Sequence, residues 1–313
     1  MNVALKRMSL ALAISAACTA AQAEELTGTL AKVKRTGVFT LGVQTASVPF
    51  SYEDGKGSYQ GYSVDLCLKA AAAVKAHLGL DKLQVNMRPV NALTRLDLIR
   101  SGEIDLSCDA PTNNAERGKL VSFLPTMYVA SNRWVSKKTA GLHTLDDLRG
   151  KTVISAPGTT AMQIIRDLNE RQKLGMKIIE AKSHSGAFEQ VRTGEVDAYV
   201  MDDILLAGIV AVSETPKDYE ISKQPLSVEP YGIIERRDDP AFKQVVDGAL
   251  ADIYRSGEGE QIYNKWFMSP IPPSGSNVNV PMSNALRTAF AHPTDSSDPA
   301  VYVDRSRAEQ AAN

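Results

Sequence analysis

The sequence is poor in the groups that carry covalent or metal chemistry. It holds 4 histidines and 3 cysteines in 313 residues. Neither a G-x-S-x-G nucleophile turn nor an H-E-x-x-H helix occurs, which removes the signatures of a serine-hydrolase elbow and of a zinc-protease site. Charge of one sign is also lacking: 35 Lys and Arg against 36 Asp and Glu leave −1. Without a basic excess there is no phosphate-neutralising surface, which argues against a nucleic-acid partner. No low-complexity tract is present. Beyond the N-terminus no apolar run reaches the roughly 20 residues that span a bilayer. What is there, 43% hydrophobic and 23% charged residues, is the composition of a soluble globular protein, and the length suggests two domains.

The N-terminus reads as an address. Lys6 and Arg7 precede an apolar run from Met8 to Ala20, and Ala21-Gln22-Ala23 forms an A-x-A cleavage site. Residues 1–23 are therefore expected to be a secretory signal peptide, placing the mature chain in the periplasm. A lipoprotein anchored at Cys18, after Ala16-Ala17, is the alternative. Cleavage at Ala23 leaves Cys67 and Cys108. An exported pair suggests a disulfide; two buried free thiols are the other reading.

The chain is organised around Leu98 to Arg117, LIRSGEIDLSCDAPTNNAER. Gly102 closes a helix, Ile104, Leu106 and Cys108 alternate as in a strand, and Pro111 ends it. Asn113 with Glu116 makes a capping-box pattern for a new helix. Thr112 and Arg117 then lie near a helix start beyond the carboxyl end of a strand, where open α/β sheets bind ligands and anions. The stretch has a twin. Arg100-Ser101-Gly102-Glu103-Ile104-Asp105 matches Arg192-Thr193-Gly194-Glu195-Val196-Asp197 in type, and each strand that follows runs to an aspartate, Asp109 and Asp202.

The order of elements repeats as well. Strands are expected at 38–43, 83–88 and 104–108, with helices at 62–78 and 92–101 between them. Strands at 151–155, 177–181 and 197–201 alternate with helices at 161–172 and 187–193. Each half reads β-α-β-α-β, which implies a parallel sheet with right-handed crossovers and two sets of strand ends across a cleft. A helix at 204–213, strands at 219–222 and 231–234, and helices at 240–256 and 258–267 follow. Pro270-Ile271-Pro272-Pro273 is expected to end the compact fold, and the Asp-, Ser- and Ala-rich tail to be disordered.

Several segments together resemble one family. Ser47-Val48-Pro49-Phe50-Ser51-Tyr52, Gly61-Tyr62-Ser63-Val64-Asp65, Thr112-Asn113-Asn114-Ala115-Glu116-Arg117, Gly158-Thr159-Thr160, Met201-Asp202-Asp203, Leu206-Ala207-Gly208, Lys265-Trp266-Phe267 and Pro270-Ile271-Pro272-Pro273 stand in its order and spacing. The chain is similar, over about residues 30–290, to the extracytoplasmic amino-acid-binding proteins of ABC importers (solute-binding protein family 3), and most to their glutamate/aspartate-binding branch. The resemblance implies the two-lobed, type II periplasmic-binding-protein fold with a two-strand hinge. A discontinuous lobe 1 (24–129 plus 226–290), lobe 2 (130–225) and a disordered 291–313 would follow. It also implies a monomer without cofactor that hands a free amino acid to a membrane permease.

By that resemblance Arg117 forks the ligand's α-carboxylate with Thr112 beside it, and Gly158, Thr159 and Thr160 close from the other lobe. Asp202 takes the α-ammonium. Arg95 and His184 match the side-chain pocket, with Gln44 and Asp109 at its edge and Phe50 over the ligand. The residues alone leave other roles open: a helix cap for Asp202, surface positions for Arg95 and His184, core packing for Phe50. The acidic branch usually carries Arg where this chain has Gln44, Ser where it has Ala92, and Gly-Ser-Thr where it has Asp109-Ala110-Pro111. Leaving a ligand carboxylate short of a charged partner costs about 1.5–3 kcal/mol, so a polar or amide ligand, or weak binding of acidic ones, is expected. An enzyme on the same scaffold, as some dehydratases are, and a sensor for a signalling partner are the alternatives to a transport receptor.

Overall fold

The computed structural model describes residues 26–302; the expected signal peptide, Cys18 and residues 303–313 lie outside the described residues. The first half opens with α1 (Gly28–Thr36) and the apolar β1 (Val38–Val43). Short strands β2 (Ala46–Ser47), β3 (Ser51–Glu53) and β4 (Tyr59–Gln60) form a small antiparallel sheet before the Ala-rich α2 (Tyr62–His77). Next come β5 (Gln84–Pro89), α3 (Arg95–Ser101), β6 (Leu106–Ser107), α4 (Ala115–Gly118) and β7 (Ser122–Phe123).

The chain crosses on β8 (Tyr128–Ala130) and builds the second half. This consists of β9 (Asn132–Lys137), β10 (Thr152–Ser155), α5 (Thr160–Arg171), β11 (Lys177–Glu180), α6 (His184–Thr193), β12 (Ala198–Asp202), α7 (Asp203–Ala211) and β13 (Tyr219–Ile221). It returns on β14 (Glu229–Tyr231), antiparallel to β8, so two strands join the halves. β15 (Ile234–Glu235) re-enters the first sheet, and α8 (Pro240–Arg255), α9 (Glu258–Phe267) and α10 (Asn284–Ala291) complete the first half.

Both sheets have the same plan. The first runs β5-β1-β6-β15-β7 and the second β11-β10-β12-β9-β13. In each, four strands run in one direction and one, the first met after a crossing, runs against its two neighbours. The twin motif explains part of this. Gly102 and Gly194 end their helices with φ of 76° and 81°, a conformation glycine adopts without a Cβ clash. Three residues on, Asp105 accepts the Thr40 N–H of β1 at 2.8 Å and Asp197 accepts the Thr152 N–H of β10 at 2.8 Å. The repeated aspartate fastens the start of β6 to β1 in one sheet and the start of β12 to β10 in the other.

Cys67 on α2 and Cys108 after β6 are disulfide-bonded, Cα atoms 6.1 Å apart. Beside them sits an aromatic cluster, in which the Phe50 ring meets Tyr62, Tyr128, Tyr231 and Phe267 edge-on at 5.3–5.9 Å. Such edge contacts add to the burial of apolar area.

Three expectations differ from the structure. The strand at 231–234 is divided, Tyr231 ending β14 in the hinge and Ile234 opening β15 in the first sheet. The fold does not end at Pro270–Pro273: α10 follows, its Phe290 stacked on Tyr254 at 4.1 Å. Residues 293–302 are not disordered. Thr126 donates to the Thr294 carbonyl at 2.8 Å, Asn113 Nδ2 to the Asp295 carbonyl at 2.7 Å, and Tyr302, 4% exposed, bonds Thr126. Composition spoke for a solvated tail, but one buried tyrosine and an Asp295–Lys243 ion pair of 3.0 Å anchor it.

Candidate functional site

The carboxyl ends of β1 and β6 face those of β10 and β12 across a narrow cleft. Its centre is a cavity of about 20 Å³, room for about one water. The two halves touch around it. Gly208 of α7 lies against the backbone of Val48, where an added Cβ would come within 2.2 Å of the carbonyl oxygen. Arg117 Nη2 donates to the Gly158 carbonyl at 3.2 Å, and the Thr112 and Thr160 hydroxyls are 3.4 Å apart. A larger pocket of about 280 Å³ adjoins it, sharing Gln44, Ala92 and His184.

One wall is suited to an anion. Asn114 caps α4 by accepting the Arg117 N–H at 2.9 Å; the cap is Asn114 and not Asn113, whose side chain holds the C-terminal segment instead. α4 is only four residues long, and it turns the Arg117 guanidinium back so that Nη1 donates to the Thr112 carbonyl at 2.8 Å. Burial, then the nearby Arg95, lower its pKa to about 10, so it is charged at neutral pH. Opposite it starts α5, whose cap Thr159 accepts the Met162 N–H at 3.1 Å. The first N–H groups of a helix have no intrahelical partner and favour an anion.

The opposite wall is suited to a cation. Asp202 ends β12, 2% exposed. It stands where a helix cap would, yet makes no side-chain cap bond; Asp203 takes that work, accepting the Ile204 and Ser131 N–H groups. One Asp202 oxygen accepts the Tyr231 hydroxyl from the hinge. The other, Oδ1, is buried without a partner. Burial first, then Glu229, raise the Asp202 pKa well above the ordinary carboxylate value. A buried carboxylate in that position is stabilised by an arriving positive charge.

Between these walls lies a polar subsite. Arg95, 4% exposed, donates from Nη1 to Asp109 at 2.5 Å. Gln44 Nε2 donates to the same Asp109 oxygen at 2.8 Å, and Ser107 Oγ to its other oxygen at 2.8 Å. His184 Nδ1 shares a hydrogen bond of 2.5 Å with the Tyr199 hydroxyl. Burial, then Arg95, depress the imidazole pKa to about 4, so the ring is neutral at pH 7.

Of the residues singled out in the sequence, Arg117, Thr112, Asp202, Thr159, Thr160, Arg95, His184 and Gln44 line this one cavity. Three do not. Gly158 meets Arg117 through its carbonyl, Asp109 is fully buried behind Arg95, and Phe50 belongs to the aromatic cluster, which places it with the core. Ser47, Met201 and Leu205 also line the cavity, and Tyr199 and Tyr231 hold His184 and Asp202 from behind. Sequence reasoning passed over them. Tyr199 alternates with Met201 on a strand already assigned, the only signal that it shares a face with the site; Tyr231 gives none, because its place depends on the hinge. Among the described residues no group of three His, Cys, Asp or Glu could hold a metal ion, and no helix is long and apolar enough to cross a membrane.

A model of bacterial extracellular solute-binding proteins, family 3, matches residues 39–269. The chain is 44% identical over 298 residues, 94% of its length and 98% of the relative's, to the L-glutamate/L-aspartate-binding protein of Pseudomonas aeruginosa PAO1. It is 39% identical over 290 residues, 91% and 95% of the two lengths, to the glutamate/aspartate import solute-binding protein of Escherichia coli K12. Among solved structures, an ancestral arginine-binding protein bound to arginine superposes with a TM-score of 0.66 at 27% identity, covering 74% of this chain and 98% of that one.

Proposed function

The chain belongs to the bacterial extracellular solute-binding proteins, family 3, with the two-lobed periplasmic-binding-protein fold, and from that membership we propose that its cleft captures one free amino acid for an ABC importer. The observation that carries this reading is the unpartnered, buried Oδ1 of Asp202 lining the same cavity as Arg117. A zwitterion needs a cation site and an anion site a few ångströms apart. Asp202 supplies the first. Arg117, Thr112 and the start of α5 supply the second. The ligand side chain then points to Arg95, Gln44 and His184.

Because Arg117 belongs to the first half and Asp202 to the second, a bound amino acid bridges both. It favours the closed arrangement by its differential contacts. The central cavity is small, so entry requires the halves to part about β8 and β14. We read the chain as a receptor rather than an enzyme, supported by its relatives being solute-binding proteins and by a neutral His184 tied to Tyr199. Export by the leader at residues 1–23, a periplasmic location, a monomeric state and delivery to a membrane permease complete the proposal. Two relatives described as glutamate/aspartate-binding or import proteins support it.

Mass spectrometry of small molecules released on denaturing the purified mature protein tests the reading. An α-amino acid in near-stoichiometric amount is the expected result. Release of none, with no amino acid causing a shift in thermal unfolding, contradicts it.

A further inference from the structure

The geometry points to Asp109 as the residue that sets ligand class, making this cleft select an amino acid with an uncharged carboxamide side chain over an acidic one. The inference rests on the amino-acid-receptor reading above. Charge balance is its basis. The charges that face one another at the site are the buried Arg95 and the half-buried Arg117 against the buried Asp109 and Asp202. An amino acid's own ammonium and carboxylate cancel, so a neutral side chain leaves the site neutral. A side-chain carboxylate would add one buried negative charge without a counter-ion. Arg95 does not supply one, because its Nη1 is committed to Asp109 at 2.5 Å with both side chains at most 5% exposed. His184 is held by Tyr199 and carries no charge. Glu229, 3% exposed with Oε2 unpartnered, adds negative charge nearby. Lys182 lies in the adjoining pocket but is exposed, where water and salt screen it.

The hydrogen-bonding groups agree. Arg95 Nε is buried with no partner, a donor that a carbonyl oxygen satisfies without bringing charge. The second ring nitrogen of His184 is a donor or an acceptor according to which partner of the Tyr199 bond carries the proton. A carboxamide, with C=O and NH₂ on one carbon, pairs with either tautomer; a carboxylate only accepts. Asp109 is itself fixed by Gln44 and Ser107, so the Arg95 clamp cannot swing aside to release the arginine.

Calorimetry of the full mature protein with glutamine, asparagine, glutamate and aspartate tests this. Wild type is expected to bind an amide at least tenfold more tightly than the matching acid. Asp109→Asn frees the charge of Arg95 and is expected to shift the acid-to-amide ratio at least tenfold toward the acid. Tighter wild-type binding of the acids, or an unchanged ratio in the variant, overturns the inference and leaves the receptor reading standing. So does binding of another amino acid to the exclusion of both amides. Should the variant not fold, the wild-type ratio decides alone. Failure of every free amino acid to bind removes the receptor reading instead.

Discussion

Asp109 and Asp202 occupy corresponding places in two halves built to one plan. Asp109 lies just past β6 and Asp202 ends β12, the strands that the twin aspartates Asp105 and Asp197 fasten to β1 and β10. Each is buried at the cleft. Their surroundings are opposite. Asp109 has an arginine, a glutamine and a serine on its oxygens; Asp202 has one tyrosine and one oxygen left bare. The first is neutralised from within, and the second, on the reading proposed above, takes its positive partner from the ligand. A duplicated scaffold therefore does not give duplicated chemistry. What differs is the neighbour each sheet end receives, Arg95 from α3 in one half and the hinge strand β14 in the other.

The halves also differ in how they are held. The first carries the disulfide and, with the hinge tyrosines Tyr128 and Tyr231, the aromatic cluster; the second shares one continuous apolar core with it. Opening Cys67–Cys108, which closes a loop of 41 residues, is expected to cost about 4 kcal/mol by loop entropy. Thermal unfolding of Cys108→Ser, with hydrogen exchange resolved by segment, should show the loss concentrated in the first half. Equal loosening of both halves would remove the distinction.

Next in size is the proposed ammonium site. Asp202→Asn removes one partner of a buried charge pair and is expected to weaken binding by about 2–5 kcal/mol, measured by calorimetry. It should leave the fold no less stable, since the carboxylate is held at a desolvation cost. Arg117→Lys replaces a fork with a point charge and should cost about 1.5–3 kcal/mol of affinity in the same titration. If Asp202→Asn binds normally while Arg95→Gln does not, the roles given to the two halves are reversed.

The smallest effect is in protons. Burial and Glu229 hold the Asp202 carboxyl above its unfolded value of 3.8, with Asp203 adding to this and Tyr231 and Arg117 opposing it. The folded protein thus binds more protons than the unfolded one above that value. Stability falls as pH rises toward the folded pKa, and Asp202→Asn should flatten that slope. An arriving ammonium favours the ionised form, so binding should release up to one proton and weaken as pH falls below the folded value. Titrations in two buffers of different ionisation enthalpy measure that release.

Much of the fold was legible because it is periodic. The βαβ alternation, the glycine-ended helices and the repeated Gly-Glu-apolar-Asp stretch are local signals, and β1 and α9 match their expected bounds. The eight cavity residues were legible through segment order, not through any one residue. What was not legible depends on long-range contact. Asn113 and Asn114 are equal cap candidates until the C-terminal segment claims Asn113. Phe50 could face a ligand or a core until the hinge tyrosines close over it. Asp109 reads as an added charge in the site, and only its 2.5 Å contact shows that it cancels one. Composition misjudged residues 293–302, where Tyr302, the Asp295–Lys243 ion pair and hydrogen bonds from Asn113 and Thr126 outweigh the polar sequence.

The central claim is that Arg117 and Asp202 grip the two charges of an α-amino acid from facing halves. Calorimetry of the wild-type protein with the tightest-binding proteinogenic amino acid and its two one-charge analogues, lacking the amino or the carboxyl group, tests this most directly. Loss of at least a hundredfold in affinity for both analogues is predicted. Undiminished binding of either analogue would contradict it.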